Sequence, residues 1–305
     1  MIGAVLLSGC ASIGGHTPTV ETSTRPARGT SVQAVATSDG VRRFVLHVPK
    51  ESGTQAAYPL LLLLHGSNSE GSVIEEQSAM DSVADRYQVV VAYPDGARSI
   101  FGRATADWNA GDCCGYAMRK GIDDVGFLRA IIENLSGRLP IDQRRVYAGG
   151  FSDGGRMAYR AACDLGDRLA AIAVVSGSLQ LGGCHPSRPV SLIAIHGTAD
   201  DEVPYADEVP GSVRMSGPPG ASAVPPSVRY WSRLDGCTSY AERRLAVRVV
   251  RGDFGGCVGG AVSVVTLDGG THGWPDASSS TDGAAAMHQL AASELILRFL
   301  LDHGR

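Results

Sequence analysis

Apolar and polar positions change period along this chain, and each change marks an element. Val41–Pro49, VRRFVLHVP, reads as residues turned inward and outward in alternation, like an edge hairpin strand. Leu60–Leu64 is unbroken leucine ahead of His65-Gly66, a pattern suited to a strand covered on both faces. QVVVAYPDG from Gln88, RRVYAGGFS from Arg144, AAIAVVSGS from Ala170, VSLIAIHGT from Val190 and AVSVVTLDG from Ala261 read as further strands. Between several of them apolar residues return at helical spacing, over Ser78–Arg86, Asp124–Leu135, Asp153–Cys163 and Ala284–Leu301. Strands alternating with helices predict an α/β fold, a doubly wound and mostly parallel sheet flanked by helices, with right-handed crossovers. No repeat and no clean boundary interrupts residues 34–305, so one domain is expected there. Glu208–Pro226, rich in Pro, Gly and Ser, reads as a long surface loop near the site and not as a linker.

Composition narrows the class. A chain of 305 residues with 44% hydrophobic and 19% charged positions is that of an ordinary globular protein able to bury a sizeable core. Its net charge of -4 comes without long acidic or basic blocks, which leaves no electrostatic footprint for nucleic acid. The N-terminus, MIGAVLLSGCAS, resembles a bacterial lipoprotein signal with the lipobox Leu7-Ser8-Gly9-Cys10, although no Lys or Arg precedes the apolar run. On that reading residues 1–10 are a signal segment, cleavage precedes Cys10, and its sulfur carries a lipid anchoring the chain to a membrane at the cell envelope. A secretory leader with a chance cysteine, or a buried first strand, is the alternative. The run is too short to span a bilayer as a helix. Residues 11–33, rich in Thr, Ser, Gly and Pro, read as a flexible tether.

Six further cysteines remain: Cys113, Cys114, Cys163, Cys184, Cys237 and Cys257. An even number in an exported chain favours disulfides. Cys237 and Cys257 flank one strand-like segment and are the preferred pair. None of the six shows the CxxC or histidine spacing of structural zinc, so no metal is expected.

Chemistry concentrates at Gly150-Phe151-Ser152-Asp153-Gly154. This is GxSxG between a predicted strand and helix, where a sharp turn sets the hydroxyl clear of the sheet. Alone, the pentapeptide could equally be a glycine-rich turn with a capping serine. Downstream, HGTADDEVPY delivers Asp200 past a strand end, and DGGTHGWP puts His272 on a glycine-lined loop. The order Ser, Asp, His suits a nucleophile, an orienting carboxylate and a general base. Asp201 or Glu202 could take the carboxylate's place. An oxyanion formed at the serine needs donors, and the backbone N–H groups of Ser67 and Asp153 are the expected pair. His65 and His196 read as supporting hydrogen-bonding residues, and His47 as structural. Trp108 and Trp274 are candidate walls of a substrate pocket, or packing residues that hold their loops. Asp123 and Asp124 read as helix-capping residues.

Taken together, Leu64-His65-Gly66, Trp108-Asn109-Ala110-Gly111 with Cys113-Cys114-Gly115, Asp123-Asp124-Val125-Gly126-Phe127, GFSDGG, HGTADDEVPY and THGWP resemble the polyhydroxybutyrate depolymerase and feruloyl esterase group. This is the carbohydrate esterase family 1 branch of the α/β hydrolases, which includes exported lipoproteins. The resemblance runs from about Val41 to the C-terminus. It implies an α/β-hydrolase catalytic domain over 34–305 and carboxylic ester hydrolysis without a cofactor, through an acyl-enzyme on Ser152 with Asp200 and His272. The substrate partner would be a feruloyl, acetyl-sugar or short hydroxyalkanoate ester, small or polymeric. Asp153 stands where many relatives have Asn, and Ser67 where others have Cys. An acyltransferase using the same residues with a sugar or lipid alcohol, and a non-catalytic binding protein on this scaffold, are the competing functions.

Overall fold

The computed structural model describes residues 25–50, 56–98, 106–113, 115–207, 209–210, 221–276 and 284–305. The expected signal segment with Cys10, Cys114 and most of the 208–226 loop lie outside them. In chain order the elements are β1 (Gly29–Thr37), β2 (Gly40–Val48), β3 (Tyr58–Leu64), α1 (Gly71–Ser78), α2 (Met80–Tyr87), β4 (Val90–Pro94), β5 (Ala97–Arg98), β6 (Ala106–Asp107) and α3 (Gly115–Lys120). There follow α4 (Asp124–Arg138), β7 (Ile141–Phe151), α5 (Asp153–Asp164), β8 (Ala171–Val175), β9 (Ser191–Gly197) and α6 (Pro226–Leu234). The last are β10 (Ser239–Ala246), β11 (Val249–Gly255), β12 (Val262–Leu267) and α7 (Ala292–Asp302).

One sheet carries the order β1-β2-β4-β3-β7-β8-β9-β12-β11-β10, and β5 and β6 form a separate ribbon. The six strands from β4 to β12 run parallel. Antiparallel pairs close both ends of the sheet. The leucine run shows why the middle is covered on both faces. Leu60, Leu62 and Leu64 join the core with Phe127, Ile131 and Met157, whereas Leu61 and Leu63 join the opposite core with Ile74, Ile296 and Leu297. Period two thus divides one apolar strand between two helical layers, each buried leucine stabilising the fold by about 1.5–3 kcal/mol. Among the described residues no helix is long and apolar enough to cross a membrane.

Several expectations are corrected. The folded region begins before residue 34, because Gly29–Gln33 pair with Phe44–Val48 in β1 and are not tether. Their polar side chains sit on an edge strand that is mostly half-buried or exposed, so no apolar period gave the strand away. The segment between Cys237 and Cys257 is a hairpin of two strands, and β10 is exposed at nearly every position. The helix expected over Ser78–Arg86 is broken at Ala79, whose φ of 47° ends α1 and starts α2. The terminal helix starts at Ala292, not Ala284.

Disulfides join Cys163 to Cys184 and Cys237 to Cys257, and Cys113 is also disulfide-bonded. The two pairs span 21 and 20 residues, and each restricts the unfolded chain by about 3 kcal/mol. His47 is buried with Asp81 on one ring nitrogen and Asp85 on the other, both at 2.9 Å. Burial opposes its charge, but hydrogen bonds to the two carboxylates win and raise its pKa, pinning β2 to α2.

Candidate active site

β7 runs into α5 through Ser152, which adopts φ 55° and ψ -119°. Such a backbone costs about 1–3 kcal/mol and persists only where its surroundings fix it. Here Ser152 N donates to Val175 O at 2.9 Å, and its carbonyl accepts from Arg156 N at 3.0 Å. The flanking glycines are required by space. A Cβ on Gly150 would run into the Gly154 carbonyl, and one on Gly154 into the carbonyls of Leu64 and His65. The elbow therefore packs directly on the end of β3, where a Cβ built on Gly66 would lie 3.3 Å from Ser152 Cβ. Ser67 follows, exposed. Among the described residues neither Ser67 N nor Asp153 N has an acceptor. Asp153 N also opens α5, where the helix dipole favours negative charge.

Asp200 and His272 come together because their strands are neighbours, β9 beside β12. The loops are tied by Thr198 N to Leu267 O at 3.0 Å and Ala199 N to Gly270 O at 2.9 Å. His272 Nδ1 lies 2.9 Å from Asp200 Oδ2 and 3.0 Å from Oδ1. Asp200 Oδ1 also accepts from Glu202 N at 3.1 Å and Val203 N at 2.9 Å. His196 Nε2 donates to Val203 O at 2.8 Å and stands 3.4 Å from Asp200 Oδ2. Burial pushes the Asp200 carboxyl up, but the hydrogen bonds from His196, Val203 N and His272 outweigh it and hold it well below the ordinary carboxylate range. With Nδ1 donating to Asp200, Nε2 of His272 is left to accept a proton. The His272 ring packs on Phe151 at 4.8 Å between centroids, next to Ser152 in the chain. Of the alternative carboxylates, Asp201 is exposed, and Glu202 faces the other ring nitrogen, its Oε2 3.7 Å from Nε2.

The supporting residues are buried. Gly96 N donates to His65 Nε2 at 2.9 Å, so Nδ1 carries the proton and donates to Gly66 O at 2.7 Å. Burial lowers the His65 pKa to about 4, keeping the ring neutral. Both tryptophans are buried in the cores, which fits the second of their two readings, as packing residues that hold their loops. Trp108 Nε1 donates to His65 O at 2.9 Å, and Trp274 Nε1 to Ser293 Oγ at 3.1 Å. Asp123 caps α4 through Gly126 N at 2.8 Å, whereas Asp124 is buried and bonds Arg42 Nη1 at 2.7 Å. Sequence reading missed the stacking of Phe151 on His272, although Phe151 occupies the variable position of GxSxG.

Asp153 carries a cost. One carboxylate oxygen accepts from Trp108 N at 3.0 Å, while Oδ1 is buried with no hydrogen-bond partner among the described residues. Burial raises its pKa from 3.8 to about 6. The folded chain then holds a proton that the unfolded chain releases, so stability falls as pH rises from about 4 to 6. Above that window the loss is about 3 kcal/mol. Asp153→Asn is expected to raise the melting temperature at pH 7.5 and to lose this advantage near pH 4. Calorimetry of both proteins across that range checks it.

Among the described residues no cluster of three or more His, Cys, Asp or Glu side chains could hold a metal ion. The family model described as Esterase PHB depolymerase matches residues 43–242. Feruloyl esterase B of Piromyces equi is 30% identical over 247 residues, 79% of this chain and 44% of that protein. This chain thus spans less than half the length of that relative. Feruloyl esterase C of Emericella nidulans is 29% identical over 288 residues, 90% of this chain and 93% of its own. Among solved structures, the acetyl xylan esterase from Aspergillus awamori aligns with a TM-score of 0.57 at 13% identity, over 81% of this chain and 95% of that one. That likeness shows the fold, an α/β hydrolase.

Proposed function

We propose, since this chain belongs to the Esterase PHB depolymerase family of carboxylic ester hydrolases, that it is an exported serine esterase. Its substrates are feruloyl, acetyl-sugar or short hydroxyalkanoate esters, the classes to which the names of its family and relatives point. Ser152 is the nucleophile, His272 the general base and Asp200 the group that fixes the base. His272 Nε2 takes the Ser152 proton as Oγ attacks the ester carbonyl, and negative charge collects on the carbonyl oxygen opposite the amides of Ser67 and Asp153. Collapse of this intermediate expels the alcohol, which leaves with the proton from His272, and the acyl group stays on Ser152. Water then gives a proton to His272 and attacks the acyl carbon. The acid departs as Ser152 regains its hydrogen. Each proton is moved by the chain's own side chains, so no cofactor is invoked.

The observation that carries this reading is the strained backbone of Ser152 between two glycines, with the His272–Asp200 pair packed against Phe151. Export rests on the resemblance of residues 1–10 to a lipoprotein leader and on the disulfides, which persist in oxidising compartments. Purified protein should hydrolyse p-nitrophenyl acetate, and one or more of methyl ferulate, acetylated xylan and hydroxybutyrate oligomers. No cleavage of any ester, together with no labelling of Ser152 by a fluorophosphonate, refutes the reading. Acyl transfer from a labelled ester to an added alcohol in preference to water would replace it with an acyltransferase.

A further inference from the structure

A cleft of about 560 Å³ lies on the segments that follow β3 and β4 and against β2, lined by Arg43, Glu70, Ser72, Gly96, Arg98 and Tyr116 among others. Its volume is within the range of about 300–1,000 Å³ typical of small-molecule sites. We propose that this cleft is a saccharide subsite that holds the sugar portion of an ester whose carbonyl lies at Ser152. The proposal rests on the hydrolytic reading above and goes beyond it by assigning a ligand class to residues outside the Ser152, Asp200 and His272 constellation.

Position is the first argument. One rim is the loop from β3 to α1, in which Ser67 is followed three residues later by Glu70, the residue that caps α1. The other rim is the turn after β4, where Gly96 donates to His65. His65-Gly66 therefore supports the cleft wall on one side and packs on Ser152 on the other. A substrate with its carbonyl oxygen at Ser67 N would reach this cleft along the run from Ser67 to Glu70.

Chemistry is the second. Arg98 Nη2 is paired with Glu70 Oε2, and Ser72 Oγ donates to the other oxygen of Glu70 at 2.9 Å. Among the described residues the Arg43 guanidinium and the Tyr116 hydroxyl have no partner. Sugar hydroxyls both donate and accept, so they can bond Arg43, Tyr116 and the Glu70–Arg98 pair without breaking it. Asp39, Glu70 and Asp95 share the walls with Arg42, Arg43 and Arg98, so no net charge of the lining selects an anion. Val32, Val41, Phe44, Val45 and Ile122 also line the cleft, apolar surface against which a sugar ring can lie, whereas an acyl chain would cover the polar groups beside it and return no hydrogen bonds.

The test separates small from extended substrates. In the Arg43→Ala/Tyr116→Phe protein, KM for acetylated xylotriose should rise about tenfold with kcat unchanged, while kcat/KM for p-nitrophenyl acetate stays at the wild-type value. Titration of the native protein with unesterified xylotriose should show saturable binding that the double variant loses. An unchanged KM for the trisaccharide ester, or equal losses on both esters, overturns the subsite. If the wild-type protein cleaves no ester, the hydrolytic reading fails instead, and the xylotriose titration alone decides the cleft: no saturation overturns it.

Discussion

Ser152→Ala is expected to lower kcat for p-nitrophenyl acetate by on the order of 10⁵- to 10⁶-fold, the loss that follows if Ser152 is the nucleophile of a constellation that works as a unit. The melting temperature stays near the wild-type value, because alanine keeps the elbow's backbone contacts to Val175 and Arg156. Ser152→Gly is equally inactive but more stable, since glycine adopts φ 55° without the penalty serine carries there. Calorimetry and turnover measured on the same preparations check both. A Ser152→Ala protein that keeps its rate places the nucleophile elsewhere, and a glycine variant no more stable than alanine removes the strain argument.

Asp200→Asn is expected to lower kcat on the order of 10⁴-fold and to destabilise the fold. Every partner of this carboxylate is a donor: His272 Nδ1, His196 Nε2 and the amides of residues 202 and 203. An amide in its place must turn its NH₂ toward one of them. If it faces His272, the imidazole adopts the tautomer with hydrogen on Nε2, which cannot take a proton from serine. The pH dependence has a definite sign. Because the folded pKa of Asp200 is depressed, its contribution to stability is complete above the ordinary carboxylate value near 4 and is lost as pH falls through the folded one. Acid unfolding of the variant should therefore lack that part of the slope. A variant with wild-type kcat would show that His272 is not held by Asp200.

The sheet's centre was legible because Leu60–Leu64 and its neighbours are buried on both faces, where no polar position interrupts the pattern. Its margins were not. β1 and β10 face water along much of their length, so their residues answer to backbone pairing and leave little apolar signal. At the candidate site the motif named Ser152, Asp200 and His272, while Asp201 and Glu202 stayed open as carboxylates. Choosing among them took three dimensions: residues one and two apart on a turn point differently, and Asp200 is the one on Nδ1. The two tryptophans show the converse limit. Sequence places an indole near a motif, but its burial and the partner of Nε1, His65 O for Trp108 and Ser293 Oγ for Trp274, appear only in the fold.

The ties between the ends of β9 and β12 hold the imidazole and its carboxylate together as one block, which meets the elbow through Phe151. The elbow and the Ser67 amide belong to a different block, built from β3 and β7. If the proposed roles hold, lengthening or recolouring the loops after β3 and β4 would redirect which alcohol is accepted while His272 and Asp200 keep their register. One scaffold is in this way open to many esters.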